Sequence, residues 1–144
     1  MLLLDANVVL AVHRADHPHH TVAAAELRTV VDERTQFTVP LGVWLAVLRL
    51  ATNRRVFPEA STTDEVFEFA DAVVAQPNHV LSAAGPRHLD TLRRVCSDSG
   101  ATGLLVPDAS LAAQAVELGA EVVTFDRDFL RFDMVRSRIL RPAA

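Results

Sequence analysis

The segment Met1-Leu2-Leu3-Leu4-Asp5-Ala6-Asn7-Val8-Val9-Leu10 places a carboxylate inside a hydrophobic run. Residues 2–4 predict a short strand buried on both faces, so Asp5 falls at or just past the carboxyl end of that strand. An unpaired carboxylate at such a position would carry a large desolvation cost. In open parallel sheets, ligands gather beyond the carboxyl ends of the strands. We therefore expect a metal ion or hydrogen-bond donors beside Asp5.

The length and hydrophobicity of the chain indicate an ordinary folded domain. Its 144 residues are half hydrophobic, which excludes a disordered protein, and we expect residues 1–144 to form a single domain. No uncharged run reaches the ~20 residues of a membrane span, and the strongly apolar run of residues 35–48 contains a proline. The N-terminal run carries Asp5 and no basic leader, unlike a secretory signal. We expect a cytoplasmic protein without membrane association.

The charged residues argue against one broad class of function. A formal net charge of −4 does not suit a protein that coats nucleic acid by bulk electrostatics, although a local basic patch remains compatible with it. Every basic residue is an arginine, a side chain that suits bidentate phosphate contacts. The single cysteine, Cys96, excludes an intramolecular disulfide and a cysteine-based zinc cage.

Hydrophobic periodicity predicts alternating strands and helices. The predicted strands cover residues 2–4, 37–39, 79–81 and 121–124. The predicted helices cover residues 7–13, 18–34 and 40–52, a segment that begins at 62 or 63, a segment from 85–86 to about 99, and residues 109–118. In the fourth of these helices, we expect Phe67, Ala70 and Val74 to face the core.

Four aspartates are expected at one edge of the sheet. Asp5 and Asp126 each follow a hydrophobic strand, Asp108 heads a helix, and Asp128 lies two residues after Asp126. Each alone is explained as a strand-end or capping residue. Together, unpaired carboxylates at one edge would repel each other and raise one another's pKa, and a divalent cation would resolve that repulsion. All-oxygen ligation favours Mg²⁺ or Mn²⁺, which can activate water for attack on a phosphodiester.

Three motifs, Leu3-Leu4-Asp5-Ala6-Asn7, Pro107-Asp108-Ala109-Ser110-Leu111-Ala112-Ala113 and Thr124-Phe125-Asp126-Arg127-Asp128-Phe129, resemble those of the PIN-domain ribonucleases. The chain is most similar to the VapC-type toxins of type II toxin–antitoxin pairs, and the motifs occur in the right order over nearly its whole length. The resemblance implies an α/β, PIN-like (Rossmann-like) fold, with a parallel sheet of four to five strands flanked by helices. It also implies Mg²⁺-dependent endonucleolytic cleavage of RNA, homodimers, and inhibition by a cognate VapB-type antitoxin.

The resemblance assigns roles to individual residues. Asp5, Asp108 and Asp126 match the metal-binding acids of the family, and Asp128 matches an additional acid of the last motif. These four are the predicted catalytic carboxylates. Asn7 and Thr124 fall at positions where the family has polar groups that steady the site.

The third helix departs from the family pattern. The family usually has a glutamate three residues before an arginine, and this chain has Ala46 three residues before Arg49. The missing acid leaves open whether the site holds one metal or two, and Asp128 could supply part of the charge. It also leaves open an alternative function, a catalytically weak PIN domain that acts mainly as an RNA-binding or partner-binding module.

Arginines that flank the acids are candidates for RNA binding. A phosphate chain can approach a group of carboxylates only where cations offset their field, and Arg49, Arg127 and Arg131 are best placed in sequence to do so. The alternative for Arg127 and Arg131 is surface ion pairing with Asp128 or Asp133.

A second alternative is a haloacid-dehalogenase-type phosphatase with Asp5 as its nucleophile. The sequence disfavours it, because Asn7 stands where a second aspartate is typical and the chain contains no lysine to neutralise a phosphate.

Overall fold

The computed structural model describes residues 1–142, which contain one sheet of four parallel strands in the order β2-β1-β3-β4. The strands are β1 (Leu2–Leu4), β2 (Phe37–Thr38), β3 (Glu121–Thr124) and β4 (Ser137–Ile139). The helices are α1 (Ala6–His13), α2 (His20–Asp32), α3 (Leu41–Ala51), α4 (Thr63–Val74), α5 (His88–Ser99) and α6 (Val106–Leu118). The expected parallel α/β architecture is confirmed, with four strands. No helix in residues 1–142 is long and apolar enough to cross a membrane.

The position of β1 explains its unbroken hydrophobic sequence. It lies between β2 and β3, and Leu3 pairs with Thr38 on one side and with Val122 on the other. All three residues of β1 are buried, as expected for an inner strand of a parallel sheet covered by helices. Because β1 and β3 are parallel neighbours, their carboxyl ends open on the same edge of the sheet.

One strand prediction was wrong, and one strand was not predicted. Residues 79–81 form no strand, and His79 makes one isolated bridge to Phe37. The buried amide of Asn78 donates to the carbonyls of Val30 and Thr35, so this segment is fixed as a loop by side-chain bonds. The short edge strand β4 was missed, because Ser137–Ile139 has a single hydrophobic residue and gives no periodic signal.

The predicted core face of α4 was also wrong. Val66 and Val73 are the buried residues of this helix, whereas Phe67 is 56% exposed and Val74 is exposed. The helix carries apolar residues on two faces, so periodicity could not decide which face packs inward. The second face leaves an apolar groove between α3 and α4, lined by Leu41, Trp44, Leu45, Leu48, Val66, Phe67, Ala70, Asp71 and Val74.

Candidate active site

Asp5 joins the end of β1 to the start of α1. Its Oδ1 atom caps α1 by accepting a hydrogen bond of 2.7 Å from the backbone N–H of Ala6. Its Oδ2 atom accepts from the Thr124 hydroxyl at 2.7 Å and from the Asn7 amide at 3.2 Å. Asp5 is only 7% exposed, and this burial raises its pKa, although the hydrogen bonds oppose that rise. The hydrogen-bond donors expected beside Asp5 are therefore present.

Thr124 and Asn7 connect the ends of β1 and β3. The fully buried Thr124 hydroxyl also accepts from the backbone N–H of Asp126 at 2.9 Å. Asn7 donates to the same hydroxyl at 3.1 Å and accepts from the backbone N–H of Phe125 at 3.1 Å. The two side chains thus fix Asp5 relative to the backbone that carries Asp126.

Asp108 lies in the first turn of α6, where the helix dipole favours a negative charge. The helix is preceded by a 3₁₀ turn, Gly103–Leu105, and Leu105 rather than Asp108 occupies the N-cap position. Burial, together with the charges of Asp5, Asp126 and Asp128, raises the pKa of Asp108 to about 6. Asp108 therefore lies within the electric field of the other three predicted acids.

Asp126 and Asp128 occupy the start of a 3₁₀ helix, Arg127–Arg131. The Asp126 carboxylate accepts from the backbone N–H of Asp128 at 2.8 Å and so caps this helix. The fully buried Phe129 anchors the segment in the core. Within residues 1–142, no three acidic, histidine or cysteine side chains are arranged closely enough to hold a metal ion between them. The acids form an open group, and whether the three proposed ligands bind one metal stays a prediction.

A cavity of about 260 Å³ opens beside the acids. Asp5 and Asp108 contribute to its lining, and α3 supplies an apolar wall of Gly42, Val43 and Ala46. Ala46 therefore lies at the cavity that the two acids share. Because alanine replaces the glutamate that is usual in the family, the α3 wall of the cavity carries no charge.

Comparison with known proteins identifies the family. A model described as the PIN domain matches residues 2–134. Ribonuclease VapC31 of Mycobacterium tuberculosis is 51% identical over 136 residues, which cover 94% of this chain and 96% of that protein. Ribonuclease VapC25 of the same organism is 48% identical over the same shares of each chain. This chain belongs to the VapC-type PIN-domain ribonuclease family. The phosphatase alternative is therefore wrong.

Solved structures show the same VapC-type fold. VapBC2 from Rickettsia felis, bound to a DNA fragment from its promoter, matches with a TM-score of 0.71 at 12% identity, over 97% of this chain and 98% of that one. DNA-bound VapBC from Salmonella typhimurium matches with a TM-score of 0.64 at 14% identity, over 96% of each chain. The predicted PIN-like fold is confirmed.

The three candidate arginines are exposed in this VapC-type domain. Arg49 lies one turn after Ala46 on α3, and Arg127 and Arg131 bound the last 3₁₀ helix. The arginine ion pairs found within residues 1–142 involve Arg14, Arg93 and Arg138. In the described chain, Arg127 and Arg131 therefore do not form the alternative ion pairs with Asp128 or Asp133, and their contact with RNA stays a prediction.

One polar side chain at the cavity, Ser110, was not predicted from the sequence. Ser110 of α6 lines the cavity and is hydrogen-bonded to His88 of α5, which also contacts Glu117 of α6. The available signal was the recurrence of Ser110, Gln114 and Glu117 at helical spacing, which places three polar side chains on one stripe of an otherwise apolar helix.

Proposed function

We propose that this chain is the toxic component of a type II toxin–antitoxin pair, an endoribonuclease that hydrolyses RNA phosphodiester bonds with the help of a divalent metal. One observation carries the proposal: Asp5 and Asp108 share a cavity within the field of Asp126 and Asp128, in a chain that is 51% identical to a named ribonuclease. The alternative of a PIN domain that only binds is not favoured, because every acid of the three motifs is present.

The carboxylates of the four acids are donors of the kind that a divalent cation binds. PIN-domain VapC ribonucleases are generally metal-dependent. Burial first, and then the charges of the other three acids, raise the pKa of Asp108, and a bound cation would favour its ionised form. Asp5, Asp108 and Asp126 would hold the ion, and their oxygen ligands favour Mg²⁺, with Mn²⁺ as the other candidate. When bound, such an ion supplies an activated water and offsets charge that develops on the phosphate oxygens.

The protein groups have separate tasks in this proposal. Thr124 and Asn7 hold the Asp5 carboxylate in one orientation, which spares the site a reorganisation when substrate arrives. Asp128 adds negative charge near Asp108. Arg49, Arg127 and Arg131 would bind the phosphates that flank the cleaved bond.

The proposed partners are a cognate VapB-type antitoxin and a second copy of the chain. The relatives in solved complexes carry the names VapBC and FitAB, and this chain exposes large apolar side chains that a partner could cover. Leu41 and Leu45 on α3 are 69% and 58% exposed. A toxin that acts on cellular RNA would work in the cytoplasm.

The direct test is cleavage of structured RNA by the purified chain with Mg²⁺ and with EDTA. We expect internal cuts with Mg²⁺ and none with EDTA. In cells, production of the chain should arrest growth, and co-production of a short upstream reading frame should relieve the arrest. Intact RNA in Mg²⁺ and in Mn²⁺, together with normal growth, would contradict the proposal.

The first prediction concerns pH. A carboxyl group whose pKa is raised to about 6 in the folded protein binds more protons when folded than when unfolded between roughly pH 4 and pH 6. Its contribution to stability therefore falls as the pH rises through that window. In EDTA, the melting temperature should decline from pH 4 to pH 6 more steeply for the parent than for Asp108→Asn. Parallel declines for the two proteins would contradict this expectation.

The second prediction concerns the neutral wall of the cavity. Ala46→Glu adds a carboxylate to a cavity that Asp5 and Asp108 already line, so Mg²⁺ affinity should rise by about 10-fold in calorimetry. Leu45→Glu is the matched control, because it adds the same charge on α3 at an exposed position outside the cavity lining. Equal affinities for the two variants would place the metal away from this wall.

The third prediction concerns the arginines. If an arginine contacts an RNA phosphate, its replacement by alanine should weaken RNA binding and lower the slope of log affinity against log salt by about 0.7. We expect this for Arg49→Ala, Arg127→Ala and Arg131→Ala. Arg93→Ala, which removes an exposed charge paired with Asp90, is the control. Unchanged slopes for all three would move the RNA path elsewhere on the surface.

A further inference from the structure

Three hydrogen-bonded polar side chains on α5 and α6 lie beside the cavity, separate from the four acids described above. The Ser110 hydroxyl lies 3.0 Å from Nε2 of His88, and Nδ1 of His88 lies 3.3 Å from Oε2 of Glu117. Ser110 lines the cavity together with Asp5 and Asp108. The His88 and Glu117 side chains are 16% and 17% exposed, so they form a largely covered support behind Ser110.

The chemistry of Glu117 determines which atom donates in its hydrogen bond with His88. An ionised Glu117 carboxylate can only accept, and its Oε2 atom already accepts from the backbone N–H of Gly85 at 3.5 Å. Its Oε1 atom is buried and has no hydrogen-bond partner within residues 1–142. The contact with His88 is favourable only if Nδ1 carries the proton and donates.

The protonation of His88 then orients Ser110. When His88 is neutral and carries its proton on Nδ1, its Nε2 atom is an acceptor and the Ser110 hydroxyl donates its hydrogen to it. In this state the hydroxyl hydrogen is directed at His88, and the Ser110 oxygen offers the cavity its lone pairs, as a hydrogen-bond acceptor.

We propose that Ser110 accepts a hydrogen bond from an RNA nucleotide that enters the cavity beside Asp5 and Asp108, and that His88 and Glu117 are the residues that position it. This inference rests on the proposed ribonuclease function, since the ligand is RNA. A phosphate diester has no donor, so the partner is a ribose 2′-hydroxyl or an N–H group of a base. If the donor is the 2′-hydroxyl, Ser110 distinguishes RNA from DNA at one nucleotide.

The same three side-chain types form the triad of serine hydrolases, but the backbone around Ser110 does not suit acyl transfer. Ser110 lies inside α6, where its N–H is a helix hydrogen-bond donor and is not free to stabilise an oxyanion. A binding role for the Ser110 hydroxyl therefore fits the geometry better than a nucleophilic one.

The test measures binding with cleavage blocked. Asp5→Asn is used as the background because we expect it to stop cleavage, and because it removes one charge that repels RNA. Fluorescence anisotropy compares short random-sequence RNA with DNA of the same length in Mg²⁺. Adding Ser110→Ala should weaken RNA binding about 5-fold, as for loss of one hydrogen bond, and Ser110→Thr should restore it. Ser99→Ala is the matched control, because its hydroxyl bonds to Val95 at the far end of α5.

The positioning residues have a separate readout. His88→Gln and Glu117→Gln should each weaken RNA binding, and neither should weaken it further once Ser110 is alanine, because the residues act through that hydroxyl. A purely structural role would lower the melting temperature of these variants without this dependence on Ser110. Additive losses of affinity would overturn the positioning role.

Each outcome decides between the possibilities. A loss for RNA alone assigns the ribose hydroxyl, and an equal loss for RNA and DNA assigns a base donor. Unchanged binding of both, or no binding of either by the background protein, overturns the Ser110 proposal. Cleavage by the parent is measured separately. If the parent fails to cleave RNA and Ser110→Ala still loses RNA affinity, the ribonuclease proposal fails and the Ser110 contact stands. If the parent cleaves RNA and Ser110→Ala leaves binding unchanged, the ribonuclease proposal stands and the Ser110 contact fails.

Discussion

Asp5→Asn is expected to reduce RNA cleavage by at least about 100-fold while the protein remains folded. Residues that merely support metal ligands typically account for 10- to 100-fold in activity, and Asp5 is proposed as a ligand itself. The substitution preserves the shape of the side chain and removes its charge, so the remaining acids would hold a divalent ion more weakly. Cleavage of structured RNA at saturating Mg²⁺ is the measurement, and growth on production of the variant is a parallel readout.

The stability of this variant follows from two opposing effects. Loss of the charge relieves the desolvation that raises the pKa of Asp5, and this favours the folded state. The carboxylate, however, accepts hydrogen bonds on both oxygens, from Ala6 on one and from Thr124 and Asn7 on the other. An amide can accept on only one side. We expect the two effects to leave the free energy of unfolding within about 1 kcal/mol of the parent.

Urea denaturation in EDTA measures this balance, and Asp133→Asn, an exposed aspartate, is the control for removal of a charge. A folded variant without cleavage supports the metal-ligand role of Asp5. A destabilised variant that still cleaves RNA would instead make Asp5 a structural cap of α1.

The sequence was most informative where one physical requirement dominates. Residues 2–4 favoured an inner strand, because strands of a parallel sheet that are buried on both faces have continuous hydrophobic sequences. The placement of Asp5 and Asp126 at one edge followed from two parallel strands, and the structure makes β1 and β3 neighbours. The site thus depends on topology that the order of strands and helices already constrains.

The errors arose where tertiary packing chooses between equal local options. Hydrophobic periodicity cannot distinguish the two apolar faces of α4. Only contact with α3 and the core determines that Val66 and Val73 are buried and Phe67 is exposed. The link from Ser110 to His88 joins residues 22 positions apart on two helices. It depends on how α5 packs against α6, which no local pattern encodes.

Thr124→Val is expected to lower RNA cleavage by 10- to 100-fold, because it removes a hydroxyl that supports the proposed ligand without touching the substrate. That hydroxyl donates to Asp5 at 2.7 Å and accepts from the backbone N–H of Asp126 at 2.9 Å. Valine preserves the branched shape at this fully buried position. It leaves the Asp5 carboxylate and the backbone N–H of Asp126 each without the hydrogen bond to Thr124. The free energy of unfolding should therefore fall by about 1–3 kcal/mol.

Thr38→Val separates the loss of activity from the loss of stability. Thr38 is also a fully buried strand threonine, and its hydroxyl is 2.6 Å from that of Ser82, outside the network of Asp5. This control should lose stability to a similar extent and keep cleaving RNA, whereas Thr124→Ser, which retains the hydroxyl, should recover most of the activity. Equal cleavage by the two valine variants, measured well below their unfolding transitions, would show that Thr124 stabilises the sheet without orienting Asp5. A selective loss in Thr124→Val would show instead that the end of β3 orients the acid at the end of β1.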